Sequence, residues 1–289
     1  MKVSDAVSDY VEVKRHEQRV GVIREATLNR YLEDARMLLA GLDDVELNTL
    51  SPASFRSLIE YASTRWGPVR LRALVIFLNG WLDWVSHEGL TISRPKTGTL
   101  RTPAVKAQPK QTYTHKEFSL LWERANPFAR SLMGLGLFAG TNCADVSALD
   151  ESSFDGQWFV QAREKTGRAR RASMPSWLMK EIDLPLRTSH GPTTRRRVST
   201  YWRDFTRRYL GAPRPYTAWR TTVRTVIGHI DPEALELCLL GHTPGSAALL
   251  TGRSRVGLEH YVNVSAISDD RLRRLRRALT DWIQTGTSC

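Results

Sequence analysis

Apolar residues in the first ninety positions recur with the 3.6-residue period of amphipathic helices. One helix follows Thr27, which serves as its N-cap; a second opens at Ser51-Pro52; and a third begins at Pro68 and stays apolar to Val85. Residues 1 to about 20 mix charges with few apolar side chains, which predicts a mobile or loosely helical start. The pattern predicts a small helical bundle over residues 1–90.

A change of composition follows the bundle. Residues 91–112 are rich in Pro, Thr and Lys and poor in apolar side chains, which is typical of a linker. Basic residues such as Lys106 suit a strap along a polyanion, and solvation explains them equally well. The linker predicts two domains, 1–90 and 113–289.

The second half mixes helices with one hairpin. Thr114 and Glu117 form a capping box, and residues 128–138 are almost entirely apolar, which predicts a central helix. Two strands, Trp158–Arg163 and Arg171–Pro175, flank a turn. Gly241 ends a short helix over 234–240. Further helices are predicted at 144–149, 177–182, about 194–210, from about Thr217, and at 269–283. The predicted fold class is mainly α, with a small antiparallel β-hairpin in the second domain.

Length and apolar content fit this division. A chain of 289 residues with 41% hydrophobic residues can bury a sizeable core, and domains of about 100–200 residues predict two of them. The N-terminus lacks the apolar segment of a signal peptide, and no apolar run reaches the roughly 18 residues that a membrane span needs. Cys143, Cys238 and Cys289 show no metal-site spacing. We expect a cytoplasmic protein with reduced thiols.

The charge predicts a polyanionic partner. The formal net charge is +12 and the pI is near 10.0, and residues 187–220 hold nine Arg with one acidic residue, Asp204. Arginine binds phosphate bidentately, so nucleic acid is favoured over an anionic membrane surface. A basic amphipathic helix is also compatible with simple solvation. The candidate DNA contacts are Arg70, Arg72, Lys106, Arg195, Arg196, Arg197 and Arg253.

No familiar cofactor or metal signature is present. The sequence contains no P-loop, no His-Glu-x-x-His pair and no Gly-x-Ser-x-Gly elbow. Four acidic residues cluster after the central helix, but their irregular spacing beside turn residues favours a solvated loop over a metal site: Asp145, Asp150, Glu151 and Asp155. We expect neither a cofactor nor a metal.

Five motifs occur in a characteristic order. They are Leu135–Leu149, Lys-Thr-Gly at 165–167, Tyr-Thr-Ala-Trp-Arg at 216–220, Leu-Leu-Gly-His at 239–242 and Glu-His-Tyr-Val-Asn at 259–263. This order and spacing resemble the tyrosine recombinase (integrase) family over most of the second half of the chain. The resemblance implies a helical, SAM-like core-binding domain at 1–90 that clamps DNA and an α+β catalytic domain at 113–289.

The resemblance also implies roles for four residues. Tyr261 would attack phosphorus, Arg220 and His242 would hold the phosphate, and Lys165 would protonate the leaving 5′ oxygen. Without the resemblance, each has an ordinary interpretation: a packed Tyr, a helix cap at His242 and a turn residue at Lys165.

Two positions depart from the family pattern. Asn142 stands where the first-box Arg is usual, and Thr217 stands where the second-box His is usual. Losing one preorganised donor to a transition-state oxyanion typically costs on the order of 10² to 10³ in rate. A displaced cation would compensate, with Arg130, Arg163 and Arg253 as candidates. The interval from His242 to Tyr261 is also longer than in the family, which predicts an insertion within 243–257.

Two functional hypotheses follow from the residues. The first is a site-specific recombinase that forms a 3′-phosphotyrosyl intermediate, as part of a mobile genetic element. The second is a DNA-binding regulator or architectural protein that kept the fold and lost strand cleavage. For either one we expect double-stranded DNA as partner, a nucleoid location and a dimer or tetramer joined through the C-terminal helix. RNA or nonspecific binding is a third hypothesis, which predicts steep salt dependence with little sequence preference.

Overall fold

The computed structural model describes residues 1–90, 110–162, 168–182, 186–188, 191–242 and 267–287. The chain forms two compact units, Met1–Gln108 and Pro109–Cys289. Within the described ranges the protein is mainly helical with a small antiparallel sheet, which confirms the predicted fold class.

The first unit is built from helices around one apolar element. Its helices are α1 (Val3–Arg19), α2 (Glu25–Gly41), α3 (Pro52–Ser63) and α4 (Pro68–His87), with a 3₁₀ turn at Leu47–Thr49. Eight residues of α4 are buried, and the other three helices each contact it. The predicted starts at Ser51-Pro52 and Pro68 are confirmed, whereas α2 begins at Glu25, before the predicted cap Thr27.

The prediction of a mobile or loosely helical start is wrong. Residues 3–19 form helix α1, whose buried side chains are Val3, Ala6, Val7, Tyr10 and Val11. They stand at i, i+3, i+4, i+7 and i+8, the spacing of one helix face. Tyr10 packs against Phe77 of α4, with ring centroids 5.7 Å apart. The many charged residues of α1 lie on its other face.

An ion pair in this unit involves one of the candidate DNA contacts. Arg70 Nη1 lies 2.6 Å from the carboxylate of Asp34, which is fully buried, and Arg70 also pairs with Glu33 at 3.0 Å and covers the Trp66 ring. Burial outweighs the attraction of Arg70 and raises the pKa of Asp34 to about 6. Arg72, two positions along, is exposed. Arg70 therefore has a structural role, to compensate the charge of a buried carboxylate, that does not depend on contact with DNA.

The second unit surrounds helix α6 (Pro127–Phe138), which is buried on nearly every side, as its apolar sequence predicts. Two glycines of α6 admit large neighbours: a Cβ at Gly134 would lie 2.2 Å from Leu178, and one at Gly136 would lie 2.6 Å from Trp219. Around α6 lie α5 (His115–Arg124), α7 (Cys143–Ser147), α8 (Ser176–Met179), α9 (Arg195–Leu210), α10 (Ala218–Ile227), α11 (Pro232–Ala234), a π-helical turn (Leu235–Leu239) and α12 (Asp269–Thr285).

The sheet of this unit has the order β1-β2-β3, with strands β1 (Phe154–Asp155), β2 (Trp158–Ala162) and β3 (Ala169–Ser173). Strands β2 and β3 form the predicted hairpin, with Phe159 opposite Ala172. A short ribbon of β4 (Arg187–Thr188) and β5 (Gly191–Pro192) precedes α9. Helix α12 buries its apolar stripe, including Leu275 and Trp282, within its own unit against α5, α6, α10 and β3.

The ion pair of Arg70 predicts a pH-dependent loss of stability. Arg70→Met leaves the buried Asp34 carboxylate uncompensated, so at pH 7 the free energy of unfolding should fall by about 1–3 kcal/mol. Below the Asp34 pKa of about 6 the carboxyl is protonated, and the loss should shrink. Urea denaturation of the full chain at pH 7 and pH 5 measures both values.

The matched control for this prediction is Arg72→Met, which removes the same charge from an exposed position of α4. It should change stability by less than about 0.5 kcal/mol at either pH. Equal losses in the two variants would contradict a specific role for the pair between Arg70 and Asp34.

Candidate functional site

The guanidinium of Arg220 joins two helix ends in the second unit. Arg220 lies in the first turn of α10 and is 8% exposed. Its Nη1 donates to the Gly140 carbonyl oxygen (2.5 Å), and its Nη2 donates to the Leu240 carbonyl oxygen (2.7 Å). Gly140 follows the end of α6, and Leu240 follows the π-helical turn. Both carbonyls belong to helix C-termini, where the backbone carries partial negative charge.

Two left-handed glycines shape these ends. Gly140 has φ +55° and Gly241 has φ +59°, values that side chains other than glycine rarely adopt. Gly241 ends the helix as predicted and turns the chain so that His242 N–H donates to the Glu236 carbonyl oxygen (2.8 Å). That turn brings the ring of His242 to Arg220, with Nε2 3.2 Å from Nη2.

Two further residues complete the cluster. Arg224 lies one helical turn after Arg220 on α10, and its Nε and Nη2 donate to the two carboxylate oxygens of Glu236 at 2.6 and 2.8 Å. Glu236 Oε2 also lies 2.5 Å from His242 Nδ1. Arg220, Arg224, Glu236 and His242 thus form one polar cluster, called the Arg-His cluster below.

The charges of the Arg-His cluster follow from these contacts. Burial alone would raise the pKa of Glu236, but the hydrogen bonds from His242 and Arg224 lower it to about 2, so the carboxylate is ionised. Burial lowers the pKa of His242 from its usual range; Glu236 opposes that shift, and the cations of Arg220 and Arg224 add to it. At neutral pH the ring is therefore neutral, and the cluster has two cations and one anion.

Asn142 has a structural task that an arginine would not perform. It is the N-cap of α7, and its Oδ1 accepts hydrogen bonds from Ala144 N (2.8 Å) and Asp145 N (3.1 Å). Asn is among the preferred N-cap residues. Thr217 is exposed immediately before α10, one turn ahead of Arg220. Of the two residues that depart from the family pattern, Asn142 therefore caps a helix and Thr217 is exposed.

The interpretation of Asp145 as part of a solvated loop is wrong. The residue is 1% exposed, and its carboxylate pairs with Arg170 of β3, whose Nη1 lies 3.1 Å from Oδ2. Arg170 Nη1 also lies 3.5 Å from the Gly140 carbonyl oxygen, which Arg220 shares. The other three acidic residues, Asp150, Glu151 and Asp155, are exposed as expected. Burial of Asp145 follows from its pairing with Arg170, which the spacing of the acidic residues does not reveal.

The structure brings together Arg220 and His242 among the four predicted catalytic residues. Lys165 and Tyr261 lie outside the described residues, so their roles stay predictions. Of the proposed displaced cations, Arg130 covers the Trp122 ring and lies 3.9 Å from Glu181. Arg163 and Arg253 also lie outside the described residues, as does Lys106. Arg170, Arg224 and Glu236 are not among the residues predicted from the sequence.

The basic residues of α9 are arranged as predicted. Thr194 caps the helix, Val198 and Trp202 are buried, and the three arginines of the first turn, Arg195–Arg197, are exposed. Arg207, farther along, pairs with Asp204 at 2.8 Å. A basic first turn therefore faces solvent, which is the arrangement that phosphate contact needs.

Among the residues that the structure describes, no group of three His, Cys, Asp or Glu side chains is placed to hold a metal ion. None of the described helices has the length and apolar character required to cross a membrane.

Gly140 provides a direct test of how closely the two helix ends joined by Arg220 are packed. A Cβ at Gly140 would lie 2.6 Å from Leu240 Cδ2 and 2.8 Å from Leu239 Cδ2. In Gly140→Ala the left-handed backbone should cost about 1–2 kcal/mol, and overpacking against these leucines should add about 1–3 kcal/mol. Urea denaturation measures the sum.

Gly156 offers the matched control, since it has nearly the same φ (+56°) and nothing within 4 Å of its Cβ position. Gly156→Ala should therefore show the backbone cost alone. A loss in Gly140→Ala no larger than that of Gly156→Ala would contradict the close packing of the two helix ends.

Comparison with known proteins identifies the fold. No protein-family model and no curated protein sequence matches the chain. Among solved structures, residues 75–356 of lambda integrase, as a dimer bound to a COC′ core site, match with a TM-score of 0.70 and 16% identity, covering 84% of this chain and 96% of that one.

Two further structures agree. A lambda integrase tetramer bound to a Holliday junction gives a TM-score of 0.68 at 16% identity, with 84% of this chain and 78% of that one covered. The Tn1549 transposon integrase in complex with transposon right end DNA gives 0.60 at 11% identity, with 99% and 100% covered. The resemblance inferred from the motifs is confirmed at the level of architecture: this chain has the fold of the tyrosine recombinases.

Proposed function

We propose that this protein is a site-specific DNA recombinase that cuts and rejoins strands through a 3′-phosphotyrosyl intermediate. The observation that carries the proposal is the Arg-His cluster, in which Arg220 and His242 meet at 3.2 Å within a fold shared with DNA-bound integrases. Arg220 comes from the Tyr-Thr-Ala-Trp-Arg motif and His242 from the Leu-Leu-Gly-His motif, the two motifs to which the resemblance to tyrosine recombinases assigns phosphate contact.

The proposed reaction is a transfer of one phosphoryl group. The Tyr261 hydroxyl releases its proton to water as its oxygen attacks the scissile phosphorus, a new P–O bond to tyrosine forms, and the bond to the 5′ oxygen breaks. Lys165 gives that oxygen a proton and so yields a free 5′ hydroxyl. Arg220, and His242 once its Nε2 carries a proton, contact the non-bridging oxygens and stabilise the charge that develops there. Attack by a 5′ hydroxyl reverses each step and rejoins the strand.

The remaining parts of the chain suit this function. The first unit would clamp the duplex, with Arg72 and Arg70 near phosphates, and the exposed arginines of α9 would contact the backbone. Lambda integrase has been solved as a dimer and as a tetramer on DNA, which supports assembly of this chain on DNA as well. Assembly through α12 is part of the proposal, although its apolar stripe already packs within its own unit.

A second candidate function is a recombinase-fold protein that binds DNA without cutting it. The observation that favours it is Asn142, whose side-chain oxygen caps α7 in place of presenting a guanidinium to phosphate. Binding alone would still use the basic first turn of α9. The two candidates differ in whether a covalent bond forms between protein and DNA.

Covalent capture separates the two candidates. A duplex that the protein selects from a random pool is nicked close to the cleavage position, so that the short fragment beyond the nick diffuses away after cleavage. We expect a protein–DNA adduct on a denaturing gel, and its loss in Tyr261→Phe. Tyr209→Phe removes a hydroxyl from the half-buried side of α9 and should leave the adduct unchanged. Tight, site-selective binding without any adduct would support the binding protein and contradict the recombinase.

Salt dependence tests the proposed phosphate contacts of α9. Replacing Arg195, Arg196 and Arg197 by Gln should weaken duplex binding and reduce the slope of log affinity against log salt by about 0.9 for each phosphate that is no longer neutralised. Arg15→Gln, in which the arginine pairs with Glu12 on α1, is the charge control and should leave the slope unchanged. An unchanged slope in the triple variant would contradict a role for α9 in DNA binding.

A further inference from the structure

The most unusual feature of the Arg-His cluster is the acid at its centre. Glu236 stands in the apolar run Leu235–Leu240 and is 4% exposed. A buried carboxylate is costly unless it is paired and hydrogen-bonded. Both requirements are met here, because Arg224 binds both carboxylate oxygens and His242 contacts one of them.

The backbone reinforces this arrangement. Residues 235–239 form a π-helical turn, in which Leu240 N–H donates to the Leu235 carbonyl oxygen (2.9 Å). The turn is followed by the bond from His242 N–H to the Glu236 carbonyl oxygen (2.8 Å). Glu236 therefore holds His242 twice, through its backbone and through its side chain. Single π turns inside helices often occur at functional sites.

The contacts also decide where the proton of the His242 ring lies. Glu236 is ionised and can only accept, so the 2.5 Å contact requires a proton on Nδ1. In a neutral ring Nε2 is then the acceptor, which agrees with the approach of Arg220 Nη2 at 3.2 Å. Arg224 Nη2 lies 3.0 Å from Nδ1, and with a proton on both atoms this contact is a close approach and not a hydrogen bond.

We infer that Arg224 and Glu236 are positioning residues that fix His242 as the Nδ1–H tautomer and direct Nε2 toward Arg220, where the scissile phosphate would bind. The inference rests on the proposed function for the identity of that ligand. Arg224 acts through Glu236: the bidentate pair fixes the carboxylate plane, and the carboxylate fixes the ring.

This arrangement has a consequence for chemistry at Nε2. The proton on Nδ1 is held by Glu236, so a second proton can be bound only at Nε2. A phosphate oxygen that takes the place of Arg220 as the neighbour of Nε2 would find a donor there once that proton is bound. The groups that face the ring among the described residues are Glu236, Arg220 and Arg224.

The test uses the full chain with ¹⁵N-labelled histidine and needs no DNA for its first measurement. Two-bond ¹H–¹⁵N correlation spectra, assigned with His242→Gln, report which ring nitrogen carries the proton. We expect the Nδ1–H tautomer in the wild type. Arg224→Met combined with Glu236→Leu removes both charges and so avoids an unpaired buried ion. This double variant should shift His242 toward the Nε2–H tautomer or a mixture.

The second measurement is the rate of adduct formation on the nicked duplex. Misplacement of a catalytic group by about 1 Å can cost on the order of 10²-fold, so we expect a loss of about that size in the double variant. Glu236→Gln retains an acceptor for Nδ1–H and should recover part of the rate and of the tautomer. Lys14→Met with Glu17→Leu removes an ion pair of 2.7 Å on α1 and should change neither measurement.

Failure of the inference can be told apart from failure of the proposed function. An Nε2–H tautomer in the wild type, or an unchanged tautomer and rate in the folded double variant, would overturn the positioning role. Absence of any adduct in the wild type, with the tautomer behaving as expected, would instead overturn the recombinase proposal, because the tautomer is measured on the free protein.

Discussion

The structure of the second unit depends on the pairing of one buried cation with the ends of two helices. A buried guanidinium needs hydrogen-bond acceptors, and a buried helix C-terminus needs hydrogen-bond donors, so each satisfies the other. Arg220 donates hydrogen bonds to the carbonyl oxygens of Gly140 and Leu240 and thereby connects α6, α10 and the π-helical turn. The left-handed glycines at 140 and 241 allow both ends to turn toward the same point. The position of His242 follows from this connection, since it is the residue directly after the second turn.

The sequence predicts those parts of the molecule whose cause is local. Helix starts at Ser51-Pro52 and Thr114 follow from caps, and the start at Pro68 follows from proline at the first helical position. The burial of α6 follows from its apolar run. Helix α1 has an equally local cause, because its apolar residues show helical spacing, but charged residues outnumber them along the segment. The meeting of Arg220 and His242 is predicted only through the family motifs, because nothing local in residues 220–242 fixes a distance across two elements.

The parts that the sequence does not predict are buried charges. Asp145 and Glu236 each stand among apolar residues, and a carboxylate in such a run signals a partner somewhere in the fold. The signal does not say which partner, since Arg170 lies 25 positions from Asp145 on another element and the chain offers many arginines. The sequence does not predict the π turn either, because the turn depends on how residues 235–240 pack and not on their helix propensities. Spacing alone could have found Arg224, at i+4 from Arg220 on one helix face.

The departure at Asn142 can be understood as a redistribution of charge. Under the proposed function, an arginine at position 142 would add a cation at the phosphate. Here Asn142 caps α7, and Arg170, which pairs with Asp145, lies 3.5 Å from the Gly140 carbonyl oxygen. Arg224 is offset by Glu236, so within the Arg-His cluster the net charge at neutral pH is that of one cation. One cation matches a phosphodiester in its ground state but not the second negative charge that grows during transfer. Under the proposed function that charge must be met by protons, one from Lys165 to the leaving oxygen and one carried by His242. A ring whose Nδ1 proton is held by Glu236 offers Nε2 for this purpose, so under the proposed function His242 would compensate for Asn142, and strand cleavage would depend on protonation of the ring.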